Sequence, residues 1–240
     1  MATLALLGYG RMGREIERVA GARGHEVALR VNEGDALAHD ALAACDVAID
    51  FSQPAAAPGL CRRALAAGTS VVSGTTGWDV AALLDELPRG DHPAFLHATN
   101  MSPGVNAVFA ANRLLARVLG RAGGYGASLT ETHHVHKLDA PSGTAITLAE
   151  GTIAGLEGLD GWRLEADAEM TPGKLPITSH RVGEVFGDHE VTYASEVDVI
   201  TLSHSARSRR GFALGAVLAA EFVIGRRGHV TMAEVFGLPA

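Results

Sequence analysis

The chain has little cysteine, few aromatic residues and no long apolar segment. Its two cysteines, Cys45 and Cys61, are too far apart in sequence for a metal knuckle, and we expect both to be small buried apolar residues. No run of about 18 apolar residues is present, so a membrane-spanning helix is not expected. The first residues lack a basic segment ahead of an apolar stretch, which argues against a signal peptide and favours a cytoplasmic protein.

An excess of positive charge is also missing. The 20 Lys and Arg residues are outnumbered by 27 Asp and Glu residues, which gives a formal net charge of −7. Without a basic stripe, neither nucleic acid nor an anionic membrane is an expected partner. The 240 residues are 47% hydrophobic and 20% charged, a composition typical of a globular protein of one or two domains.

The first hundred residues alternate between short apolar runs and segments with helical spacing. The predicted strands are 3–7, 26–31, 47–51, 70–72 and 94–97, and the predicted helices are 12–22, 54–67 and 79–87. This βαβα alternation predicts an α/β fold with a doubly wound, Rossmann-like parallel sheet.

The pattern changes after Asn100. Pro103 is placed to open a long amphipathic helix, and a further helix is predicted near Ser142. Strand-like runs without intervening helices (128–133, 177–186, 189–194 and 197–204) predict a second, α+β domain. An apolar helix at 212–224 is expected to pack back onto the first domain. We therefore expect a dinucleotide-binding domain at 1–102 and 211–240 and a second domain at 103–210.

A glycine-rich turn follows the first predicted strand. Gly8, Gly10 and Gly13 fit the pattern G-x-G-x-x-G, directly after a strand and at the start of a helix. Such glycines permit a sharp turn, close approach of a pyrophosphate and tight helix packing, while the helix N-terminus favours the phosphate charge. The turn predicts a nicotinamide dinucleotide as cofactor.

The choice between NADH and NADPH stays open at this point. Asn32 follows the second strand, where an acidic residue usually binds the ribose hydroxyls. Asn32 could bond a ribose hydroxyl, and Arg30 or Arg11 could pair with a 2′-phosphate. A second small-residue turn, Gly74 to Gly77, follows the fourth strand and is expected beside the cofactor.

Three of the eleven histidines, His133, His134 and His136, fall within four residues. No carboxylate stands at the helical offset of an H-E-x-x-H zinc site, and adjacent histidines on a strand point to opposite faces. We therefore predict no metal here. A solvated basic loop is the plain structural alternative.

Lysine is the scarcest charge-bearing residue. Lys137 and Lys174 are the only lysines, beside eighteen arginines. A lysine can give up a proton after a modest pKa shift, which an arginine cannot, so Lys137 is predicted to act chemically. Downstream, Asp139 is predicted to cap a helix whose first turn, with Gly143 and Thr144, offers amides to a carboxylate.

Together these segments closely resemble the 4-hydroxy-tetrahydrodipicolinate (dihydrodipicolinate) reductase family of lysine and diaminopimelate biosynthesis. The string E-x-H-H-x-x-K-x-D-A-P-S-G-T-A, which begins at Glu131, is highly specific to that family, and the similarity runs along nearly the whole chain. Only the interval between Asn32 and Asp46 is much shorter than in many members.

The resemblance implies an NADH- or NADPH-dependent oxidoreductase that reduces a cyclic imine carrying two carboxylates. It implies that His133 is the acid/base histidine and Lys137 the proton donor, and that the family is typically a homotetramer built through the second domain. The implied substrate contacts are His134, Lys137, Gly143 and Thr144. The implied cofactor contacts are Gly8, Tyr9, Gly10, Arg11, Met12, Gly13, Gly74, Thr75, Thr76, Ala98, Thr99, Asn100 and Met101.

Two other functions remain open from the residues. One is another small imine or amino-acid dehydrogenase, such as an aspartate dehydrogenase-like enzyme, which would have to explain the whole segment from His133 to Thr144. The other is a redox sensor that binds dinucleotide without catalysis and signals through its oligomeric state.

Overall fold

The computed structural model describes residues 1–166 and 171–239. The chain divides into two compact units. The first consists of Met1–Pro103 and Arg209–Ala240, and the second is Gly104–Ser208. Each unit has its own sheet and its own hydrophobic core.

The elements are numbered in chain order. The strands are β1 (Thr3–Leu7), β2 (Glu26–Val31), β3 (Val47–Asp50), β4 (Ser70–Ser73), β5 (Phe95–His97), β6 (Gly126–His133), β7 (Gly161–Leu164), β8 (Lys174–Arg181), β9 (Asp188–Ala194), β10 (Val199–Ser205) and β11 (His229–Val230). The helices are α1 (Arg11–Ala22), α2 (His39–Ala43), α3 (Ala57–Ala66), α4 (Val80–Glu86), α5 (Pro103–Ala122), α6 (Gly143–Ile153), α7 (Arg210–Val223) and α8 (Met232–Val235).

The first unit is built on a six-stranded parallel sheet in the order β11-β5-β4-β3-β1-β2. Alternate residues of β1 enter two cores: Leu4 and Leu6 pack with α1 and α7 on one face, and Leu7 packs with α3 on the other. Both faces are therefore covered, as parallel sheets require. The predicted Rossmann-like fold is confirmed. Cys45 and Cys61 are buried in the second of these cores, as expected.

The second unit contains a five-stranded mixed sheet in the order β10-β9-β6-β8-β7. Strand β6 lies at its centre, parallel to β8 and antiparallel to β9. Helices α5 and α6 supply apolar side chains to a single core, where they pack with Leu129, Ile177 and Val191. Strand β6 therefore ends at His133 with sheet neighbours on both sides, which fixes the direction of its last side chains.

Helix α5 is the longest helix of the described residues, with 20 residues. It buries polar side chains: Nδ2 of Asn112 donates to the carbonyl of Leu148 at 2.9 Å, and the Tyr193 hydroxyl donates to Oδ1 of Asn112 at 2.7 Å. Within the described ranges, no helix combines the length and apolar character needed to cross a membrane.

Four short elements were not predicted, namely α2, β7, β11 and α8. Two predicted elements are also misplaced. The helix expected from Pro54 begins at Ala57, and the strand expected over 177–186 is β8, which ends at Arg181. Beyond it Gly183 takes a positive φ of 48°, and such a residue turns the chain away from extended geometry.

Candidate active site

The glycine turn between β1 and α1 has the geometry that its sequence predicts. Gly8 has φ of 95°, and a Cβ atom there would lie 2.3 Å from the carbonyl oxygen of Phe51. A Cβ atom at Gly13 would lie 2.5 Å from the carbonyl oxygen of Gly8. Both positions therefore require glycine for reasons internal to the fold.

Gly10 differs from its neighbours, because no atom lies within 4 Å of where its Cβ would stand. The fold itself therefore does not require a glycine there, whereas a group approaching the backbone would. The space beside it opens into a pocket of about 500 Å³. The pocket is lined by Gly8, Tyr9, Gly10, residues 31–35, Phe51, Ser52, Gln53, Ala55, Ala56 and Leu60.

This pocket lies at the carboxyl ends of β2, β1 and β3, where the strand order reverses direction. Ligands of doubly wound sheets bind at that point, with a pyrophosphate at the N-terminus of the first helix. The open space at Gly10 and the start of α1 at Arg11 fit a dinucleotide.

The loop after β2 forms one wall of the pocket. It contains Asn32, Glu33 and Asp35, and a carboxylate oxygen of Asp35 accepts the backbone N–H of Asn32 at 2.7 Å. Arg30 is already committed elsewhere: its guanidinium pairs with Glu17 and lies 5.7 Å from the centre of the Tyr9 ring. From the sequence alone, Arg30 was a candidate to pair with a 2′-phosphate. In the structure it pairs with the carboxylate of Glu17 instead.

The second turn, Gly74 to Gly77, follows β4 and is held by several internal contacts. A Cβ atom at Gly74 would lie 2.3 Å from the Phe51 ring, so glycine is needed there. Oγ1 of Thr75 accepts the backbone N–H of Ser52 at 2.9 Å. The Thr75 carbonyl accepts Nε1 of Trp78 at 2.8 Å and Nε2 of His97 at 3.0 Å. The turn is thereby tied to the segment after β3 that lines the pocket.

The segment from Ala98 to Met101 follows β5. The amide of Ala98 donates to the carbonyl of Ser73 at 3.1 Å, and Oδ1 of Asn100 accepts the amide of Ser102 at 2.9 Å. The Met101 side chain is buried in the core of the first unit. Its carbonyl oxygen faces α7, because a Cβ atom at Gly215 would lie 1.6 Å from it.

Asp50, at the end of β3, was not singled out in the sequence. Its carboxylate is fully buried and accepts the Ser73 hydroxyl at 2.6 Å and the Ser52 amide at 3.2 Å. It therefore joins the ends of β3 and β4 under the pocket. A polar residue that interrupts the apolar run Val47 to Phe51 was the available signal.

In the second unit, Glu131 and His133 lie on the same buried face of β6, since side chains two residues apart on a strand share a face. Nδ1 of His133 is 2.5 Å from Oε2 of Glu131. The neighbouring strand β8 brings Arg181 opposite His133, and its guanidinium donates to Oε1 of Glu131 at 3.0 Å. Both oxygens of the carboxylate thus face positive or proton-bearing groups.

Glu131 is ionised at neutral pH. Burial alone would raise its pKa, but hydrogen bonds with His133, Ser179 and Arg181 outweigh that effect and lower the pKa to about 2. A carboxylate can only accept, so a hydrogen on Nδ1 of His133 would face Glu131 and would leave Nε2 for other chemistry. A Cβ atom at Gly187 would lie 2.9 Å from that Nε2, so the glycine keeps the adjoining space free.

His189, on β9, lies beside His133. Their ring centres are 5.1 Å apart with an interplanar angle of 75°, an edge-to-face contact. Burial, the largest cause, acts together with the charges of His133, His204 and Lys137 to lower the pKa of His189 to about 3, against the opposing charge of Glu131. His189 is therefore neutral at physiological pH. Its Nε2 is 3.1 Å from Oγ of Ser142.

Lys137 stands in the loop between β6 and α6. Its ammonium donates to both carboxylate oxygens of Asp139, at 2.8 and 2.9 Å. The prediction that Asp139 caps the helix is wrong, because Asp139 is engaged by Lys137 and lies outside the helix start. His134, also in this loop, is half-buried, with its ring centre 6.0 Å from that of His136.

The cap of α6 is Ser142, whose buried Oγ accepts the amide of Ala145 at 3.2 Å. Gly143 and Thr144 are the first two residues of the helix, at the positive end of its dipole. The structure therefore places the amides of Gly143 and Thr144 at a helix N-terminus, where anions are attracted, and the cap lies three residues after the predicted one.

Both halves of the chain match models of one protein family. Residues 2–101 match "Dihydrodipicolinate reductase, N-terminus", and residues 104–236 match "Dihydrodipicolinate reductase, C-terminus". The chain belongs to the dihydrodipicolinate reductase family. The family matches support the reductase interpretation over an aspartate dehydrogenase-like enzyme or a sensor.

Individual relatives agree with the family assignment. The chain is 43% identical to the 4-hydroxy-tetrahydrodipicolinate reductase of Christiangramia forsetii, over 97% of this chain and 96% of that protein. It is 38% identical to the enzyme of that name from Akkermansia muciniphila, over 95% of each. A solved dihydrodipicolinate reductase from Paenisporosarcina sp. TG-14, with dipicolinate bound, shares the fold, with a TM-score of 0.76, 21% identity and coverage of 98% of both chains.

Glu131, His133 and His189 also offer ligand atoms within 4.8 Å of one another, the arrangement of a candidate metal group. Each oxygen of the Glu131 carboxylate also has a protein contact. One of its oxygens faces His133, and the other accepts the guanidinium of Arg181.

Proposed function

We propose that the protein catalyses the NADH- or NADPH-dependent reduction of 4-hydroxy-tetrahydrodipicolinate to tetrahydrodipicolinate in lysine and diaminopimelate biosynthesis. The observation that carries the proposal is the group formed by Lys137, His133, Arg181 and the N-terminus of α6 in the second unit. It gathers proton-bearing and positive groups in a protein whose formal net charge is −7.

The substrate carries two carboxylates, and this group has the chemistry to hold them. The amides of Gly143 and Thr144 at the start of α6 provide one anion site. Lys137 and His134 would contact the substrate from the loop that precedes the helix. Positioning of this kind can lower a reaction barrier by on the order of 7–11 kcal/mol.

The 4-hydroxyl group of the substrate leaves as water, and the reduction adds a hydride to one ring carbon and a proton to its neighbour. Lys137 is the proposed proton donor. It lies in the loop between β6 and α6, and Asp139 accepts two hydrogen bonds from its ammonium group. His133 assists proton movement through Nε2, because Glu131 holds the other ring nitrogen.

Cofactor binding is assigned to the first unit. The glycine turn Gly8 to Gly13 and the start of α1 would hold the pyrophosphate, and the loop at Asn32 the adenosine end. Thr75, Thr76 and the backbone of Ala98 to Met101 would hold the remainder. When bound, the reduced nicotinamide supplies the hydride.

The quaternary structure and location belong to the same proposal. We assign residues 1–102 and 211–240 to dinucleotide binding and residues 103–210 to substrate binding and tetramer formation, in a cytoplasmic homotetramer. Light scattering tests the assembly: a mass of four times 24.9 kDa is expected, and a monomeric mass would contradict it.

A coupled assay tests the reaction. Dihydrodipicolinate synthase product is supplied, and the absorbance of NADH and of NADPH is followed separately. Oxidation of at least one cofactor that depends on both synthase product and this protein is expected. Tight dinucleotide binding without any oxidation would contradict the proposal and favour the sensor.

A further inference from the structure

The wall of the dinucleotide pocket after β2 is acidic. Glu33 and Asp35 both line the pocket beside Asn32, and Glu33 is exposed. Carboxylates at this point of a Rossmann-like fold accept hydrogen bonds from the hydroxyls of the adenosine ribose. The same carboxylates repel a 2′-phosphate, which carries up to two negative charges.

Arg30 of β2 is a cation that could offset this repulsion, but its charge is neutralised. Arg30 pairs through its guanidinium with Glu17 of α1, and its Nε donates to the same carboxylate at 3.0 Å. The Tyr9 hydroxyl donates to Glu17 as well, and the Tyr9 ring lies under the guanidinium. Tyr9 itself lines the pocket, so the Arg30–Glu17 pair lies next to a residue of the pocket wall with its charge already balanced.

The carboxylate of Glu17 reflects this pairing. Its pKa is lowered from the usual value, first by the hydrogen bond from Arg30 and then by the one from Tyr9, with burial opposing. Arg11, the first residue of α1, is exposed next to Gly10. Tyr9 and Gly10 line the pocket, and Arg11 is not among its lining residues.

We propose that this chain selects NADH over NADPH, because Glu33 and Asp35 form an acidic ribose wall and Glu17 withholds Arg30 from a 2′-phosphate. The inference rests on the proposed function, in that a reduced dinucleotide is the cofactor. It adds a preference that the fold and the family leave open.

Calorimetric titration of the full-length protein with each dinucleotide tests the preference without relying on turnover. NADH is expected to bind at least about 10-fold more tightly than NADPH, since unpaired like charges at a binding site are costly. The difference should shrink as salt is raised, because the repulsion acts through solvent. Equal affinities, or tighter binding of NADPH, would overturn the preference while leaving the proposed function intact.

Variants test the two parts of the proposal separately, namely the pairing of Arg30 with Glu17 and the acidic wall of Glu33 and Asp35. Glu17→Gln releases Arg30 and is expected to strengthen NADPH binding severalfold with a smaller effect on NADH. The double variant Glu33→Gln/Asp35→Asn is expected to reduce the ratio of NADH affinity to NADPH affinity, because the charges that repel the 2′-phosphate are removed. Glu15→Gln is the matched control, because it frees Arg18 from a similar exposed ion pair on α1. An NADPH affinity that neither test variant changes would refute the inference.

Failure of the underlying function would look different. If neither dinucleotide bound the wild-type protein, the cofactor assignment itself would be refuted. Binding of both dinucleotides without catalysis would refute the reductase proposal only, and the ratio of affinities would still decide the preference.

Discussion

At the scale of single residues, the two lysines have similar local contacts but different surroundings. Lys137 pairs with Asp139 at 2.8 Å, and Lys174 pairs with Asp160 at the same distance. Only Lys137 lies in the loop that joins β6 to α6, and its charge acts on the buried His189. Lys174 stands at the start of β8, where its ion pair is structural. Lys137 is therefore the proposed proton donor of the two.

Replacement of each lysine tests that distinction. Lys137→Met is expected to lower kcat by roughly 10² to 10⁴, the range for one positioned acid or base, with little change in dinucleotide affinity. Lys174→Met, the matched control, removes an ion pair of the same length and should leave kcat near the wild-type value. Steady-state kinetics with titration of the cofactor measures both. An unchanged kcat in Lys137→Met would remove this residue from the mechanism.

Two buried groups of the site make the fold sensitive to acid. The pKa of Glu131 is lowered to about 2, so its contribution to stability is present above the ordinary carboxyl pKa and is lost as the pH falls towards 2. The pKa of His189 is lowered to about 3, so below pH 6.5 the unfolded chain takes up a proton that the folded chain refuses. Both effects destabilise the protein as the pH falls.

We therefore expect the thermal midpoint to fall steadily as the pH is lowered from 6.5 to 3. His189→Gln should flatten this dependence, since the variant lacks the group that binds a proton only when unfolded. His39→Gln, at an exposed histidine of α2, controls for the loss of an imidazole. Differential scanning calorimetry across this range is the measurement. An identical pH dependence in wild type and His189→Gln would contradict the assignment.

At the scale of secondary-structure elements, the start of α6 joins fold and function. Ser142 caps the helix through Ala145, and its hydroxyl also contacts His189 on β9. The cap thus fixes the first turn, with Gly143 and Thr144, against the strand next to β6. A helix N-terminus held this firmly is a preorganised site for a carboxylate.

Removal of the cap should therefore affect both stability and anion binding. Ser142→Ala is expected to cost about 0.5–2 kcal/mol of unfolding free energy and to weaken binding of pyridine-2,6-dicarboxylate. Asp79→Ala is the matched control, because Asp79 caps α4 by accepting the amide of Ala82 at 3.0 Å in the first unit. It should lower stability similarly and leave binding of the analogue unchanged. Equal losses of binding in both variants would argue against a specific role for α6.

The sequence predicted the elements with strong periodicity and missed what depends on neighbours distant in the chain. Strands β1 and β2 were predicted to the residue, because apolar runs bounded by glycine or polar residues mark them. The helix cap was misplaced, since Asp139 and Ser142 are both good cap residues and the helix begins after Ser142. The ion pair of Glu131 with Arg181 spans 50 residues and depends on β6 and β8 being neighbours.

At the scale of the whole molecule, an acidic chain brings several cations and histidines together. The formal net charge is −7, and in the second unit His133 and Arg181 contact the buried carboxylate of Glu131, while Lys137 pairs with Asp139. The first unit keeps its open backbone at Gly10 and its pocket at the sheet edge. The first unit thus supplies the proposed dinucleotide pocket, and the second unit supplies the proposed substrate-binding and proton-donating groups.

The central claim is that Lys137 and the first turn of α6 hold the dicarboxylate substrate. A crystal structure with pyridine-2,6-dicarboxylate tests it most directly. The account predicts that one carboxylate of the analogue accepts hydrogen bonds from the amides of Gly143 and Thr144, with Nζ of Lys137 in contact with the ligand. An analogue bound away from Lys137 and from the start of α6 would contradict it.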